Sequence, residues 1–430
     1  MLSTPGGNEM RKLSLICAGT FLTLAAAPAS ADTVCEWIEY AQAVATAAAP
    51  PADAPRTGEH DRAQTQAALA MFEALNAIDR RFESYLGMPA GDASASQDAA
   101  AATAAYQVLI AHFPSQKAGL EDSYNVTMLG IADAAARDKG KAIGEAAAKL
   151  ALAAGGFAEG AKPTPYRPRT AAGVWTATQL PAVQPYSATF KPWILPSWDA
   201  VRPAPPPALD SERWAKDFEE IKRLGAKSSP ERTPQQSLMA KYRITPNMTP
   251  SLRLIADAPK RRPVENARMF ALVAMVGDDT SVATGAAKLH YNFWRPITAI
   301  RNAEDDGNPA TAPDPAWEPL IGTPNHPEYP CAHCSGTAAI ATVLKSEVGA
   351  APPGGVRVAS RSVPNAVVQV IPTFDDWVRE VSASRMWGGV HYRFSNEAGE
   401  ELGRKVAEMA LAKVMRPLPA AAEKGKKKGK

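Results

Sequence analysis

Three separated stretches concentrate the residues able to do chemistry. The first is AKLHYNFWRPITAIR, residues 287–301, where Lys288 and Arg295 lie seven positions apart. Two helical turns would set both cations on one face. The residues between them are largely aromatic or apolar, which argues for partial burial, and a buried cation needs an anion. The bland alternative is two surface charges beside Pro296. The second stretch is HPEYPCAHCSGTAA, residues 326–339. Pro327 and Pro330 hold its backbone extended and a helix follows from about residue 334. His333 then sits near a helix N-terminus, where free amides favour an anion. The third is SASRMWGGVHYRFSNEAG, residues 382–399, in which Arg385 and His391 are six apart. Unbroken helix would place them on different faces, but a break at Gly388–Gly389 allows them to converge. Together, two arginines, one lysine and two histidines would neutralise a phosphate-like oxyanion. Arginine offers paired planar donors, and histidine can ligate, attack or shuttle a proton.

These groups must be carried by helices. Apolar residues recur at helical spacing through 60–86, and Gly87 with Pro89 stops the run. Residues 97–113 and 129–156 read as further helices, the last with a break near Gly140. Residues 160–210 are rich in proline and tryptophan. Proline at this density blocks helix and ladder alike, yet Trp175, Trp193 and Trp198 argue for an ordered segment packed across the helices. Helices resume at 211–226 behind a serine cap, then at 263–294, 336–349 and 397–415. VVQVIP, 367–372, is one short strand candidate.

The bulk numbers are those of a globular chain: 430 residues, 46% hydrophobic and a net charge of +3. That charge is too small and too evenly spread to point to nucleic acid. EKGKKKGK, 423–430, reads as a solvated tail. At the N-terminus, Arg11 and Lys12 precede the apolar LSLICAGTFLTLAAA, and ASA at 29–31 resembles a cleavage site. The apolar run is short for a membrane span, and no further span follows. The expectation is an exported protein. Cleavage would remove Cys17 and leave Cys35, Cys331 and Cys334.

The three stretches resemble, in order and internal spacing, the signature of the vanadium-dependent haloperoxidase and type 2 phosphatidic acid phosphatase superfamily: K-x6-RP, PSGH and SR-x5-H-x3-D. Lys288, Arg295 and Pro296 match the first part, and Ser384, Arg385 and His391 match the third. The resemblance spans roughly residues 60–415. It implies that His391 ligates vanadate, or is the nucleophile of a phosphatase. It implies that Lys288, Arg295 and Arg385 bind the oxyanion, with Cys331 and Ala332 at the positions of the family serine and glycine. It makes His333 the acid–base group. The PSGH element reads PCAH here, and the family aspartate is Ser395. His326, five before Cys331, occupies a position where bromoperoxidases of the family carry histidine, a hint towards bromide or iodide.

The cysteine pair leaves three readings open: a disulfide between Cys331 and Cys334, two thiols, or zinc held by His326, Cys331, His333 and Cys334. The zinc spacing is compressed relative to known sites. Residue 335 is serine, which excludes the covalent haem motif.

The expected fold is mainly α, a helical bundle of the vanadium haloperoxidase and acid phosphatase type with an ordered Pro/Trp-rich excursion. The expected divisions are a signal at 1–31, a helical region at 32–160, the connecting segment at 161–210, the site-bearing helical domain at 211–416 and a basic tail at 417–430. The expected function is vanadate-dependent oxidation of halide by hydrogen peroxide. The alternatives are phosphomonoester hydrolysis through His391, needing no cofactor, and oxyanion binding without turnover. Partners are small molecules, with no nucleic acid and no membrane span.

Overall fold

Alanine and glycine set how closely these helices approach. The computed structural model describes residues 32–48, 59–156, 167–178 and 190–419. The expected signal, the end of the tail and part of the Pro/Trp-rich segment lie outside them. The first group of helices is α1 (Thr33–Ala47), α2 (Glu59–Ile78), α3 (Gln97–His112), α4 (Lys117–Leu129) and α5 (Ala134–Ala154). Ser96 caps α3 by accepting the Ala99 amide, and Asp133 caps α5 by accepting that of Ala136. The break expected near Gly140 does not occur. A Cβ on Gly140 would sit 2.4 Å from the Ser96 carbonyl oxygen, and one on Gly144 would sit 2.5 Å from that of Ala100. Both glycines are contact points with α3 and leave α5 continuous.

The second group is α6 (Glu212–Gly225), α7 (Pro234–Tyr242), α8 (Thr249–Ala256), α9 (Pro263–Tyr291), α10 (Pro296–Arg301), α11 (Ala332–Val348), α12 (Phe374–Trp387) and α13 (Arg393–Lys413). Three short antiparallel strands, β1 (Pro246–Asn247), β2 (Val356–Ser360) and β3 (Gln369–Ile371), pair in the order β1-β2-β3. The structure is therefore mainly helical. One hydrophobic core runs from Val34 to Met415 and draws on both groups. No helix among the described residues is long and apolar enough to cross a membrane.

The described part of the Pro/Trp-rich segment is tied to α9 from outside. Asp279 accepts the backbone amides of Trp193, Ile194 and Leu195, and Asp278 accepts the Trp193 indole at 2.7 Å. Arg62 pairs with Asp278 at 2.7 Å. Nearer the site, the hydroxyls of Tyr291 and Tyr329 donate to the carbonyls of Pro203 and Ala204.

A second aromatic cluster packs behind the site. Trp214, Phe218, Phe293, Trp294, Tyr392 and Phe394 are all buried in it. Trp214 stacks on Trp294 with ring centroids 5.9 Å apart. Full burial of each such side chain contributes about 1.5–3 kcal/mol, so the two site-bearing segments are held together by their own aromatic residues.

Candidate active site

Each of the three stretches ends or begins a helix at its chemical group. Helix α9 stops at Tyr291 because Asn292 takes a left-handed conformation, φ 45°. Arg295 follows outside it, at the N-cap of α10 with Pro296 behind it. Lys288 and Arg295 therefore do not share one helical face, as the seven-residue spacing suggested. They meet because the chain turns sharply between them. Gly389, φ 77°, makes the break after α12, and a Cβ there would sit 2.5 Å from the Gly225 carbonyl oxygen. The turn returns His391 towards Arg385 just before α13 begins. Helix α11 begins at Ala332, earlier than expected, with Cys331 as its N-cap.

Burial is nearly complete. Lys288, Arg295, Arg385 and His391 are at most 2% exposed. Lys288 Nζ donates to three carbonyls, those of Pro327, Glu328 and Pro330, at 3.1, 2.8 and 2.6 Å. It therefore clamps the HPEYP loop. Arg295 donates through Nε to the His326 carbonyl, through Nη2 to His326 Nδ1 and through Nη1 to the Val390 carbonyl and His391 Nε2. Arg385 differs. Its Nε and Nη1 have no hydrogen-bond partner among the described residues.

Against three buried cations stands one buried carboxylate that sequence reasoning passed over. Glu328 is 0% exposed, and its Oε1 lies 2.7 Å from His391 Nδ1. It also accepts the Tyr392 amide at 3.2 Å. The signal in the sequence was a lone acidic residue between the two prolines of HPEYP. Ser395, at the position of the family aspartate, is buried with Oγ 3.5 Å from His391 Nδ1, the limit of hydrogen-bond reach.

The electrostatics follow from burial. It pushes the Glu328 carboxyl up to about 7, against the pull of Arg295 and Lys288. Burial lowers Arg295 to about 10, against the pull of Glu328, and burial followed by Arg295 lowers Arg385 to about 9. Burial, then Arg295, holds Lys288, His326 and His391 well below their ordinary values. His333, half-buried at the cavity wall, is lowered to about 3 by desolvation and then by Arg385. His391 is thus neutral. With Nδ1 donating to Glu328, its Nε2 carries the lone pair. His333 Nε2 lies 2.9 Å from the Ile244 carbonyl oxygen and donates to it, leaving Nδ1 as the basic nitrogen.

Cys331 and Cys334 are joined by a disulfide across the first turn of α11. The Cys331 amide donates to the Ser395 carbonyl. Among the described residues no group of three or more His, Cys, Asp or Glu side chains could hold a metal ion. The zinc reading fails on geometry, since His326 faces Arg295, His333 faces Ile244 and the two sulfurs bond to each other. A cavity of about 720 Å³ opens onto Ala332 and His333, walled in part by Gln42, His60, Leu252, Ile340 and Trp377.

Residues 268–419 match the family model of the VCPO second helical-bundle domain, which takes in all three stretches. Over that segment the chain is similar to the vanadium haloperoxidase family. Its fold is similar to that of a bacterial vanadium-dependent iodoperoxidase, with a TM-score of 0.70 and 19% identity over 90% of this chain and 97% of the other. A bacterial vanadium-dependent chloroperoxidase in its holo form gives 0.64 and 19%, over 84% and 93% of the two chains. The apo form of a bacterial chloroperoxidase gives 0.60 and 20%, over 80% and 91%. No curated protein matches the chain.

Within this vanadium haloperoxidase-like framework the residues present suit a tetrahedral oxyanion. Among the described residues of the site three buried cations exceed the one buried carboxylate, and two Arg385 nitrogens lack a hydrogen-bond partner. The amides opening α11 add donors of the same sign.

Proposed function

We propose that the chain is a vanadate-dependent haloperoxidase-like enzyme that oxidises halide with hydrogen peroxide. The observation that carries this reading is that Nε and Nη1 of the buried Arg385 have no hydrogen-bond partner among the described residues, beside a neutral His391 whose Nε2 lone pair faces Arg295 Nη1 at 3.3 Å. An unpaired buried cation is costly unless an anion completes it. His391 would ligate vanadate through Nε2, and Arg385 would meet its oxygens through Nε and Nη1. Arg295 orients the imidazole and adds charge. Lys288 adds charge while fixing the HPEYP loop. Bound vanadate supplies the Lewis-acid centre that activates peroxide towards halide. His333 Nδ1 would take or return the proton of an oxygen at the mouth of the cavity. Cys331 brings no thiol to this oxyanion, because its sulfur is bonded to that of Cys334. An oxidant formed here therefore meets no free thiol of that pair. The disulfide also favours an oxidising compartment, in keeping with export directed by residues 1–31.

The same lone pair at Nε2 supports phosphomonoester hydrolysis with His391 as nucleophile. Phosphate-free protein should be assayed for bromide- and iodide-dependent halogenation of a phenolic dye with vanadate and peroxide. Hydrolysis of p-nitrophenyl phosphate should be measured without vanadate. We expect halogenation that requires vanadate and disappears in His391→Ala. Hydrolysis inhibited by vanadate would move the chain to the phosphatase side. Anion binding with neither activity would leave an oxyanion-binding protein.

A further inference from the structure

The superfamily signature expects a carboxylate four residues after the ligand histidine, and this chain has Ser395 there. The buried carboxylate that meets His391 comes instead from the HPEYP loop, 63 residues earlier. We propose that Glu328 is the positioning residue of His391, replacing the absent aspartate from the opposite segment of the site. The proposal rests on the reading of His391 as the oxyanion-binding imidazole.

The geometry is specific. Glu328 Oε1 accepts from His391 Nδ1 at 2.7 Å and from the Tyr392 amide at 3.2 Å, so one oxygen grips both the ring and its following backbone. The loop itself is fixed. The Glu328 amide donates to the Phe293 carbonyl at 2.9 Å, and the Glu328 carbonyl accepts from Lys288 Nζ at 2.8 Å. Ser395 Oγ stands 3.5 Å from the same Nδ1, so the position from which the family carboxylate would act still faces the ring. A carboxylate on Nδ1 selects the tautomer with a lone pair on Nε2 and raises its basicity.

A plain counter-charge would behave differently from a positioning group. Removing a counter-charge makes the site more positive and strengthens the binding of every anion. Removing a positioning group weakens an anion that bonds to Nε2 and spares one that is held by charge alone.

The test compares the full chain with Glu328→Gln and with Glu328→Gln/Ser395→Asp. Dissociation constants for vanadate and for phosphate are measured by calorimetry, and the His391 tautomer by nitrogen-15 NMR of histidine-labelled protein. Glu328→Gln should weaken vanadate by roughly 10- to 100-fold, while phosphate binding holds or tightens. Ser395→Asp should return the affinity ratio towards that of the unmodified chain and restore the Nδ1–H form. An unchanged ratio in Glu328→Gln, or a parallel loss of both anions, overturns the proposal. If Glu328→Gln does not fold, Glu328→Asp, which keeps the charge but withdraws the oxygen, should lower the ratio by a smaller factor, and an unchanged ratio again overturns it. If the unmodified chain takes up no vanadate, the proposed function falls and the NMR arm decides this inference alone. Nδ1–H in the unmodified chain with a mixture in Glu328→Gln supports it, and identical spectra overturn it.

Discussion

Gly403 of α13 lies against Ser335 of α11 so closely that a Cβ on the glycine would sit 2.0 Å from the Ser335 carbonyl oxygen. Gly399, one turn earlier, would place its Cβ 2.4 Å from the Cys331 carbonyl oxygen. These two glycines set the distance between the helix that follows His391 and the helix that opens with Cys331–Ala332–His333. Gly403→Ala must move backbone, not a flexible side-chain end. Overpacking of this kind costs about 1–3 kcal/mol. We expect a lower denaturation midpoint together with a loss of anion binding out of proportion to it, because α11 shifts relative to His391. Denaturant unfolding and anion calorimetry on the same sample check this, and a variant with unchanged anion affinity would separate the contact from the site.

Arg385→Met should separate stability from binding. The Arg385 Nε and Nη1 atoms lose no partner on substitution, since they have none among the described residues. A buried charge with two unpartnered nitrogens is replaced by an apolar side chain of similar length, so the anion-free protein should melt at the same or a higher temperature. Ligand at 100 times its dissociation constant stabilises a protein by about 2.7 kcal/mol. That gain, read as the rise in melting temperature on adding vanadate, should appear in the unmodified chain and shrink by more than half in Arg385→Met. A variant that melts lower without anion and keeps the full rise would show that Arg385 is structural.

The buried histidines of the anion-free site should draw stability down with acid. Burial, then Arg295 and Lys288, holds His391 and His326 well below their ordinary value; for His333, held to about 3, Arg385 follows burial. Groups with depressed folded values contribute stability that is present above about 6.5 and is lost as pH falls. Glu328 has the opposite sign. Raised to about 7, it contributes stability that is full below about 4.5 and lost as pH rises through 7. Between 6.5 and 4.5 the unfolded chain can take up three histidine protons while the folded chain holds one on Glu328. Within the site the histidines outnumber Glu328, and each unmatched proton lowers stability by about 1.4 kcal/mol per pH unit of acidification, while Asp279, raised to about 6 by burial, acts with the sign of Glu328. Urea unfolding at pH 6.5, 5.5 and 4.5 measures the slope. In His326→Gln it should be smaller by about one proton, and identical slopes would show that His326 does not titrate this way.

The helical class was legible because apolar spacing, caps and stop signals act within a few residues. Ser211 capping α6 is one such case. The break expected at Gly140 was not, because a glycine inside a helix signals a break and a close contact with the same letter. Only the neighbouring α3 shows that Gly140 is a contact. The one-face placement of Lys288 and Arg295 failed for a similar reason. A left-handed Asn292 ends α9 before Arg295, and Asn carries no obligatory stop signal.

The sequence by itself determined which charged and imidazole groups this protein has available, and that each sits beside a helix end or a glycine pair. Local chemistry decides such things, because chain stiffness and side-chain type act over one or two helical turns. Only the tertiary structure decided the partners. It assigned Lys288 to loop carbonyls, left two nitrogens of Arg385 without a hydrogen-bond partner among the described residues, and brought Glu328 to His391 in place of a carboxylate at 395. Those pairings depend on which segments the packed aromatic cluster and the small residues of α11 and α13 bring within 3 Å, and no local rule reaches across 63 residues.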